Sequence, residues 1–386
     1  MPAHPLDKLT IRGYKSIREL KDFHLRKLNV LIGANGAGKS NFIGFFRLLA
    51  QMIEGSMNLY VGRTGGADSF LYYGRKRTPT FSAELYFGNN GYKFELQPTQ
   101  ENRFVYGSEA FYWNMIGDIP LGSGHEESRA KPGMGGQVYN YVVPPIRSWQ
   151  VFHFHDTGET APVKGEQALN DNQRLRFDAS NLAAFLYRLK YEKFRDYYAE
   201  FPFSPVSKEK ANSDESAHTS SYNMIIRTVR LVVPFFKDFI LRPKPDNSSA
   251  IQLEWLEEGD DFPFRSHHLS DGTLRFICLA TLLLQPDDFM PATIIIDEPE
   301  LGLHPYAVRV LADLIKRAAE RHQVIVSTQS VELLNEFEPR NVVVVDRFEG
   351  QSVLRRLGES ELGEWLKDYS LGELWKANQF GGRPAS

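Results

Sequence analysis

The sequence predicts an α/β fold with a mixed, largely parallel sheet at its core, an antiparallel β subdomain near the N-terminus and a small helical lobe. Two patterns predict it. Beyond residue 266, apolar strands such as ATIIIDEP and QVIVSTQS alternate with helical segments, which is typical of a parallel sheet covered on both faces. Residues 80–115 hold alternating, aromatic-rich segments around the turn Asn-Asn-Gly, which predicts antiparallel hairpins.

The first 50 residues change from a strand pattern to a helix pattern. KLTIRGY and LKDFHL predict short strands, and LNVLIG predicts a buried strand. A glycine-rich turn follows, and KSNFIGFFRLLAQMI then has the apolar spacing of a helix. Further along, the Gly-rich residues 116–140 predict a loop, and WQVFHFHD predicts another strand.

The middle of the chain predicts a helical lobe without a long coiled coil. Residues 180–200 and 221–239 have helical spacing, and the polar stretch SPVSKEKANSDESAHTSS between them predicts a mobile connection. Neither helical segment has a heptad repeat. We therefore divide the chain into an N-terminal half, residues 1–175, a helical insertion, residues 176–245, and a C-terminal half with a tail, residues 246–386.

Composition and charge argue against several classes of protein. The 386 residues are 42% hydrophobic and 24% charged, as in globular proteins, and the net charge of −3 argues against a strongly basic nucleic-acid binder while leaving a local basic groove open. Cys278 is the single cysteine, so no disulfide can form within the chain and a reducing, cytoplasmic location is expected. The N-terminal residues lack the apolar core of a signal peptide and no apolar run approaches about 18 residues, so no membrane association is expected.

Residues 33–40, GANGAGKS, match the phosphate-loop pattern G-x-x-x-x-G-K-[ST] between an apolar strand and a helix. Gly33 and Gly38 allow the backbone to curl so that successive N–H groups face phosphate oxygens. Lys39 is expected to reach the β- and γ-phosphates of a nucleotide, and Ser40 to ligate Mg²⁺. The alternative is a glycine-rich turn without a ligand. The candidate nucleotide-binding residues of the loop are Gly33, Ala34, Asn35, Gly36, Ala37, Gly38, Lys39, Ser40 and Asn41.

The run IIIDE at residues 294–298 is an apolar strand that ends in two acids. Ligands of open α/β sheets bind at the carboxyl ends of the strands, which is where these carboxylates are expected to lie. Asp297 is the candidate Mg²⁺ residue, and Glu298 is placed to polarise an attacking water molecule. The alternative is an acid pair that only caps the next helix.

The stretch LSDGTLRF, residues 269–276, opens a very apolar helix, and its Ser270 lies 27 residues before Asp297. At this place ABC-type ATPases carry their signature, usually written LSGGQ. GANGAGKS, LSDGTLRF, IIIDEPELGLHP and VIVSTQS occur in the order of that family and at its usual intervals. The chain therefore resembles an ABC-type ATPase head, and IRGYKSI and DSFLYYGRKRTPTFSAELYF resemble its RecF/SMC branch. More narrowly, LSDGTLR, DEPELGLHP and the tail LGELWKANQFGGRP resemble the short bacterial "AAA family" ATPases related to the ATPase domain of OLD-family proteins.

The resemblance implies ATP and Mg²⁺ as cofactors and a homodimer that closes around ATP. In such enzymes the signature covers the γ-phosphate bound to a second subunit, so Ser270, Asp271 and Gly272 are candidate nucleotide-binding residues. Asp271 replaces the usual glycine, and we expect it to cap the helix. Gln329, in VIVSTQS, stands at the switch position where transporters usually have His, and its neutral amide predicts slow turnover. The candidate catalytic residues are Glu298, Lys39 and Gln329.

The resemblance also implies an ATPase whose output lies in another molecule. About 55 residues follow STQS, too few for the nuclease domain that OLD proteins carry after the ATPase. The leading hypothesis is control of a partner effector, a nuclease or toxin, in antiphage defence or DNA repair. The alternative is a RecF-like, ATP-dependent DNA-binding clamp that acts without an effector.

Three weaker signals stay open. His153 and His155 either form a metal pair or are packed. His304 either touches the partner subunit of the dimer or sits beside Pro305 at a helix start. A small basic region is either a solvated face or a contact to phosphate or DNA. Its residues are Arg63, Arg75, Lys76 and Arg77.

Overall fold

The structure is a computed structural model in which residues 4–191, 208–358, 362–363 and 365–382 are described. The chain divides into two compact units. The sheet unit consists of Met1–Val151, Pro291–Glu298 and Ala319–Ser386, and the helical unit consists of Phe152–Met290 and Pro299–Ala318. The three-part division at residues 175 and 245 that the sequence suggests stays a prediction.

The described helices, in chain order, are α1 Lys39–Ile53, α2 Met57–Arg63, α3 Val138–Ser148, α4 Leu182–Tyr191, α5 Lys208–Val232, α6 Asp271–Leu284, α7 Pro305–Arg321, α8 Val331–Leu334 and α9 Leu371–Lys376. None of those helices is long and apolar enough to cross a lipid bilayer. The longest of them, α5, has 25 residues, so the described chain carries no long coiled coil.

A mixed six-stranded sheet forms the first layer of the sheet unit. Its strand order is β17-β16-β3-β15-β14-β8; β16, β3, β15 and β14 are parallel, and β17 is antiparallel to β16. Every residue of β3 and β15 is buried, as expected for strands with both faces covered. The bounds are β3 Leu28–Ile32, β8 Gln150–Phe152, β14 Thr293–Asp297, β15 Gln323–Thr328, β16 Val342–Phe348 and β17 Gln351–Arg356.

An antiparallel six-stranded sheet, with the order β2-β1-β4-β5-β6-β7, forms the second layer. Buried and half-buried residues alternate along β4, and β4 and β5 form the hairpin that the Asn-Asn-Gly turn predicts. The predicted antiparallel β subdomain is therefore confirmed. The bounds are β1 Lys8–Tyr14, β2 Ile17–His24, β4 Phe81–Phe87, β5 Asn90–Pro98, β6 Phe104–Trp113 and β7 Gly117–Gly122.

Helix α1 packs against the antiparallel sheet through aromatic side chains and also contacts the parallel sheet. Phe45 makes edge-to-face contacts with Tyr14 and Phe81 of the antiparallel sheet, with ring centroids 5.6 and 6.3 Å apart. Phe46 contacts Trp149 at 5.0 Å. The same helix contacts β14 and β15 of the parallel sheet. Because α1 is held on both sides, the loop that precedes it has a fixed position.

The helical unit is built around the apolar helix α6. Every residue of α6 from Leu274 to Leu284 is buried, and α5 packs against α6 and α4. Two small antiparallel sheets complete the unit: β10-β12-β13 and β11-β9. Their bounds are β9 Gln167–Ala168, β10 Phe236–Ile240, β11 Ala250–Ile251, β12 Glu254–Glu257 and β13 Phe264–Arg265.

The local predictions fail in three places. The Gly-rich residues 116–140 contain β7 and the first turn of α3. Strand β7 forms because its hydrogen bonds to β6 outweigh the weak hydrophobic pattern of its sequence. The predicted mobile connection is helical from Lys208 onward, where Lys, Glu and Ala favour a helix; its residues 204–207 lie outside the described residues. Helix α5 then ends at Val232 rather than at residue 239, because Pro234 cannot continue it.

Phe45→Ala is expected to lower the free energy of unfolding by about 3–5 kcal/mol, since it leaves a cavity between α1 and the antiparallel sheet. Urea denaturation followed by circular dichroism measures the change. Met115→Ala, at a side chain that is 78% exposed, is the matched control and should change stability by less than about 0.5 kcal/mol. Equal effects of the two substitutions would contradict the packing role of α1.

Candidate nucleotide site

The predicted phosphate loop connects β3 to α1, and its glycines are needed for different reasons. Gly36 and Gly38 have positive φ angles of 77° and 116°. A Cβ atom at Gly38 would lie 2.0 Å from Ser352 Oγ, and one at Gly33 would lie 2.2 Å from the carbonyl oxygen of Val345. No side chain caps the start of α1, so the first N–H groups of this 15-residue helix are open to an anion.

Lys39 is 5% exposed and folds back over the loop. Its Nζ donates to the carbonyl oxygens of Gly33, at 2.6 Å, and Ala34, at 3.2 Å. Ser40 is exposed, and Asn41 Nδ2 donates to Ser16 Oγ at 2.7 Å. The loop therefore has a closed conformation. The Lys39 ammonium lies at its opening, where a bound phosphate would contact it.

Two serines, Ser16 and Ser352, hold the loop through hydrogen bonds, and Ser352 could not be predicted from the sequence. Ser352 donates its N–H to the Ser16 carbonyl at 2.7 Å, and its Oγ donates to the Ala37 carbonyl at 2.5 Å. Ser16 belongs to the stretch IRGYKSI that the family resemblance singled out. Ser352 lies in no motif, so no local signal marks it.

The two strand-end acids and the switch glutamine lie at one edge of the parallel sheet. Thr328 pairs with Ile32, the last residue before the loop, and Asp297 pairs with Ser327, so the carboxyl ends of β3, β15 and β14 coincide. Ser327 Oγ donates to Asp297 Oδ1. The sequence thus placed the phosphate loop and the acids at one edge, which the parallel register confirms.

Glu298 and Gln329 are in direct contact. Gln329 Nε2 donates to Glu298 Oε1, and the Glu298 N–H donates to the Ser327 carbonyl at 3.0 Å. Glu298 has a φ of +44°, a left-handed conformation that is costly for a residue with a side chain. Strain of this kind is concentrated at functional sites, where the surrounding structure holds it.

A cleft of about 460 Å³ opens beside the loop, at Gly36 and Asn41. Tyr73, 54% exposed, lies on its wall, with its ring 4.6 Å from and edge-to-face with that of Tyr72. Lys15 also lines the cleft, and burial lowers the pKa of Lys15 below its ordinary value, with a smaller contribution from repulsion by Arg47. Of these four cleft residues, the sequence predicts Gly36 and Asn41 as nucleotide-binding but neither Tyr73 nor Lys15. A larger cavity of about 890 Å³, near α3, holds none of the motif residues.

In the helical unit the predicted signature forms the N-terminus of α6. Ser270 is the N-cap: its Oγ accepts the Thr273 N–H at 3.2 Å. The expectation that Asp271 caps the helix is therefore wrong, because the serine before it already fills that position. Asp271 is the first helical residue, and its Oδ1 lies 3.2 Å from Nζ of Lys164, which is 6% exposed on its side chain. A Cβ at Gly272 would lie 2.4 Å from the Gly302 carbonyl oxygen, so the glycine is required by close packing.

Arg275, which the sequence analysis did not select, ties three segments of the helical unit together. Its guanidinium donates to the carbonyl oxygens of Phe154, at 2.8 Å, His155, at 3.2 Å, and Leu301. Burial lowers the pKa of Arg275, but an arginine stays charged in a protein. The signature helix and the ELGLHP loop are therefore fixed to each other by one buried cation.

The weaker signals resolve in part. The rings of His153 and His155 lie 3.7 Å apart, and the described residues contain no group of three or more His, Cys, Asp or Glu that could hold a metal ion. His304 is exposed, and its Nδ1 accepts the Tyr306 N–H at 3.3 Å, as expected for a residue at a helix start. Contact between His304 and a partner subunit stays a prediction.

The basic region is partly used within the fold. Arg75 binds Asp68 Oδ1 at 2.7 Å and the Thr99 carbonyl at 2.6 Å. Arg77 stacks over the Tyr73 ring at 4.8 Å. Fewer of these cations are available for phosphate or DNA than the sequence suggests.

The shared edge of loop, acids and switch, together with an antiparallel sheet and a separate signature helix, defines the head of an ABC-type P-loop ATPase. The chain belongs to the family described as "AAA domain, putative AbiEii toxin, Type IV TA system", which matches residues 28–112 and 160–335, more than half of the chain. The resemblance to RecF/SMC-like ABC ATPases is confirmed. A comparison with curated protein sequences finds no match.

Solved SMC heads have a similar fold. The chain is similar to an SMC head bound to the C-winged helix domain of ScpA, with 16% identity, a TM-score of 0.54 and coverage of 94% of this chain and 99% of that one. It is similar to the Pyrococcus furiosus Smc head, with an extended coiled coil and bound to the C-terminal domain of ScpA: 17% identity, TM-score 0.55, coverage 95% and 99%. The chain is also similar to the Smc head of Pyrococcus yayanosii, which has a coiled coil and joint. The identity is 12%, the TM-score is 0.54, and the match covers 95% of this chain and 99% of that one.

Gly38→Ala is expected to weaken ATP binding at least tenfold more than Gly36→Ala. Both positions have positive φ, but a Cβ at Gly38 meets Ser352 Oγ at 2.0 Å and Cβ at 2.8 Å, whereas none of the described atoms lies within 4 Å of one at Gly36. Equilibrium titration with a fluorescent ATP analogue measures the two affinities. Equal losses would show that the backbone conformation alone, and not the Ser352 contact, determines the loop.

Arg275→Met is expected to destabilise the protein by about 3 kcal/mol, because it leaves buried carbonyl groups without a donor. Thermal and urea unfolding measure the loss, and Arg265→Met, at an exposed arginine of the same unit, is the control. Nucleotide affinity should stay within twofold of the wild type in both variants, since the phosphate loop belongs to the sheet unit. If Arg275→Met were as stable as the wild type, the hydrogen bonds of Arg275 would not hold these segments together.

Proposed function

We propose that this protein is an ATP-binding, Mg²⁺-dependent ATPase that dimerises around ATP and controls a partner effector, a nuclease or toxin, in antiphage defence or DNA repair. The observation that carries the proposal is the common sheet edge of the phosphate loop, the two acids and the switch glutamine. ABC-type heads use such an edge for hydrolysis, and membership of the AAA family supports the same chemistry.

The residues present fit Mg²⁺-bound ATP. The loop N–H groups and the uncapped start of α1 suit the phosphates, and Lys39 can exchange the carbonyl oxygens of its own loop for phosphate oxygens. Ser40 and Asp297 supply the hydroxyl and carboxylate oxygens that Mg²⁺ prefers. The cleft with Tyr73 has the size for a base and sugar, and the exposed ring offers a stacking surface.

For hydrolysis, Glu298 is the candidate to polarise the attacking water. Its carboxylate is oriented by the Gln329 amide, which can donate either to Glu298 or to a γ-phosphate. The amide carries no positive charge, so it stabilises developing negative charge less than a protonated histidine does. Slow turnover is therefore part of the proposal.

The proposed dimer follows from the presence of two different nucleotide-binding surfaces, the phosphate loop and the signature, on each chain. One chain carries one phosphate loop and one signature, so two complete sites need two copies arranged about a two-fold axis. The acid in the signature does not oppose this, because Lys164 lies beside the Asp271 carboxylate and offsets its charge. The N-terminus of α6 then presents Ser270 and Gly272 to a γ-phosphate without net local repulsion.

Two comparisons support an output through a partner protein. The family description refers to a toxin and a toxin–antitoxin system, and two of the similar SMC heads are bound to domains of ScpA. The clamp alternative relies on the basic region, where Arg75 is already engaged with Asp68. We therefore favour the effector controller.

Glu298→Gln is expected to double in mass when ATP and Mg²⁺ are added, because the variant retains ATP but stalls hydrolysis. Light scattering after size exclusion measures the mass, and Lys39→Ala in the Glu298→Gln background, which lacks the phosphate contact, should stay monomeric. A monomer in every condition would show that LSDGT does not contact the ATP of a second subunit.

Salt-dependent binding of duplex DNA by the ATP-loaded dimer alone would favour the clamp over the effector controller.

A further inference from the structure

The segment Ser370–Gly382, named here the C-terminal brace, lies against the strands that lead into the phosphate loop. It begins with a capping box in which the Ser370 and Glu373 side chains each bond the other's backbone. Three apolar residues of the brace, Leu371, Leu374 and Phe380, share one buried cluster with Ile32, the residue immediately before Gly33. The brace is therefore anchored in the core under the loop.

One end of the brace meets the first glycine of the loop. The Gly382 N–H donates to Asp346 Oδ2 at 2.9 Å, and a Cβ at Gly382 would lie 3.5 Å from Gly33 Cα and 3.1 Å from Trp375 Nε1. Gly381 and Gly382 have φ angles of +80° and +82°. Only glycine adopts this double left-handed turn easily, so the close approach to Gly33 is built into the backbone.

The other end of the brace meets the helix that follows the switch glutamine. The Gly372 N–H donates to Asn335 Oδ1 at 2.6 Å, and a Cβ at Gly372 would lie 2.3 Å from Val331 Cγ1. Val331 begins α8, two residues after Gln329. One short segment thus contacts both the start of the phosphate loop and the helix beside the switch.

Trp375 lies between these two ends, and its buried Nε1 has no hydrogen-bond partner among the described residues. A buried donor without a partner costs free energy, so this position of the indole is held by packing and not by a polar contact.

We propose that the C-terminal brace is a positioning element of the nucleotide site: it holds Gly33 in the conformation seen here and couples the phosphate loop to α8 and Gln329. The inference rests on the proposed function, since it requires that the loop binds ATP. None of the brace residues touches the nucleotide; they act through Gly33 and through the start of α8. Occupation of the loop is expected to change the surroundings of Trp375.

Gly382→Ala in the full chain is the test, with affinity for a fluorescent ATP analogue as the readout. The added Cβ meets Trp375, Val344 and Gly33, so ATP binding is expected to weaken at least tenfold. Gly117→Ala is the matched control: its φ is +90°, and none of the described atoms lies within 4 Å of its Cβ position. Its affinity should equal that of the wild type, and its thermal midpoint should fall because of the strained φ, by no more than that of Gly382→Ala.

Two further variants keep the test decisive if Gly382→Ala folds poorly. Asp346→Ala removes only the acceptor of the Gly382 N–H, and it should also weaken ATP binding. In the wild type, ATP should change the tryptophan fluorescence, and Trp375→Phe should abolish most of that change.

Wild-type affinity in Gly382→Ala and Asp346→Ala, or a fluorescence change that survives in Trp375→Phe, would overturn the brace while leaving ATP binding intact. A wild-type protein that binds no ATP would overturn the proposed function and the brace together. The two failures are therefore distinguishable by the wild-type titration alone.

Discussion

The lack of room for a Cβ atom at Gly33 and Gly38 is the constraint on which the site depends. The carbonyl of Val345 and the hydroxyl of Ser352 fill the space that side chains would take. Helix α1, which follows the loop, is held in position by aromatic contacts to the antiparallel sheet. The parallel pairing of β3, β15 and β14 then carries the acids and the switch to the same edge.

The elements that could be predicted from the sequence are those with local determinants. A phosphate loop and its acids are recognisable because backbone conformation and strand ends require particular residue types at short spacing. The Ser16–Ser352 pair joins residues 336 positions apart, and the contact between Gly33 and Gly382 is similarly distant, so no spacing rule could show them. The role of Arg275 was hidden because its partners are carbonyl groups, which every residue has. Asp271 was misassigned because Ser270 competes for the same cap.

Charge at the two candidate nucleotide surfaces is compensated in different ways. In the signature, the carboxylate of Asp271 lies beside a buried lysine, so the surface that would face a phosphate is close to neutral. At the sheet edge, Asp297 accepts a hydrogen bond from the Ser327 hydroxyl, and Glu298 accepts one from the Gln329 amide. The two acids offer carboxylate oxygens to a cation at this edge, and a phosphate alone would meet repulsion from them.

The ammonium group of Lys39 is already hydrogen-bonded, to carbonyl oxygens of its own loop. Since the lysine already closes the loop, the loop does not have to order itself when a ligand arrives. Association becomes an exchange of one set of oxygen partners for another, with little loss of chain entropy.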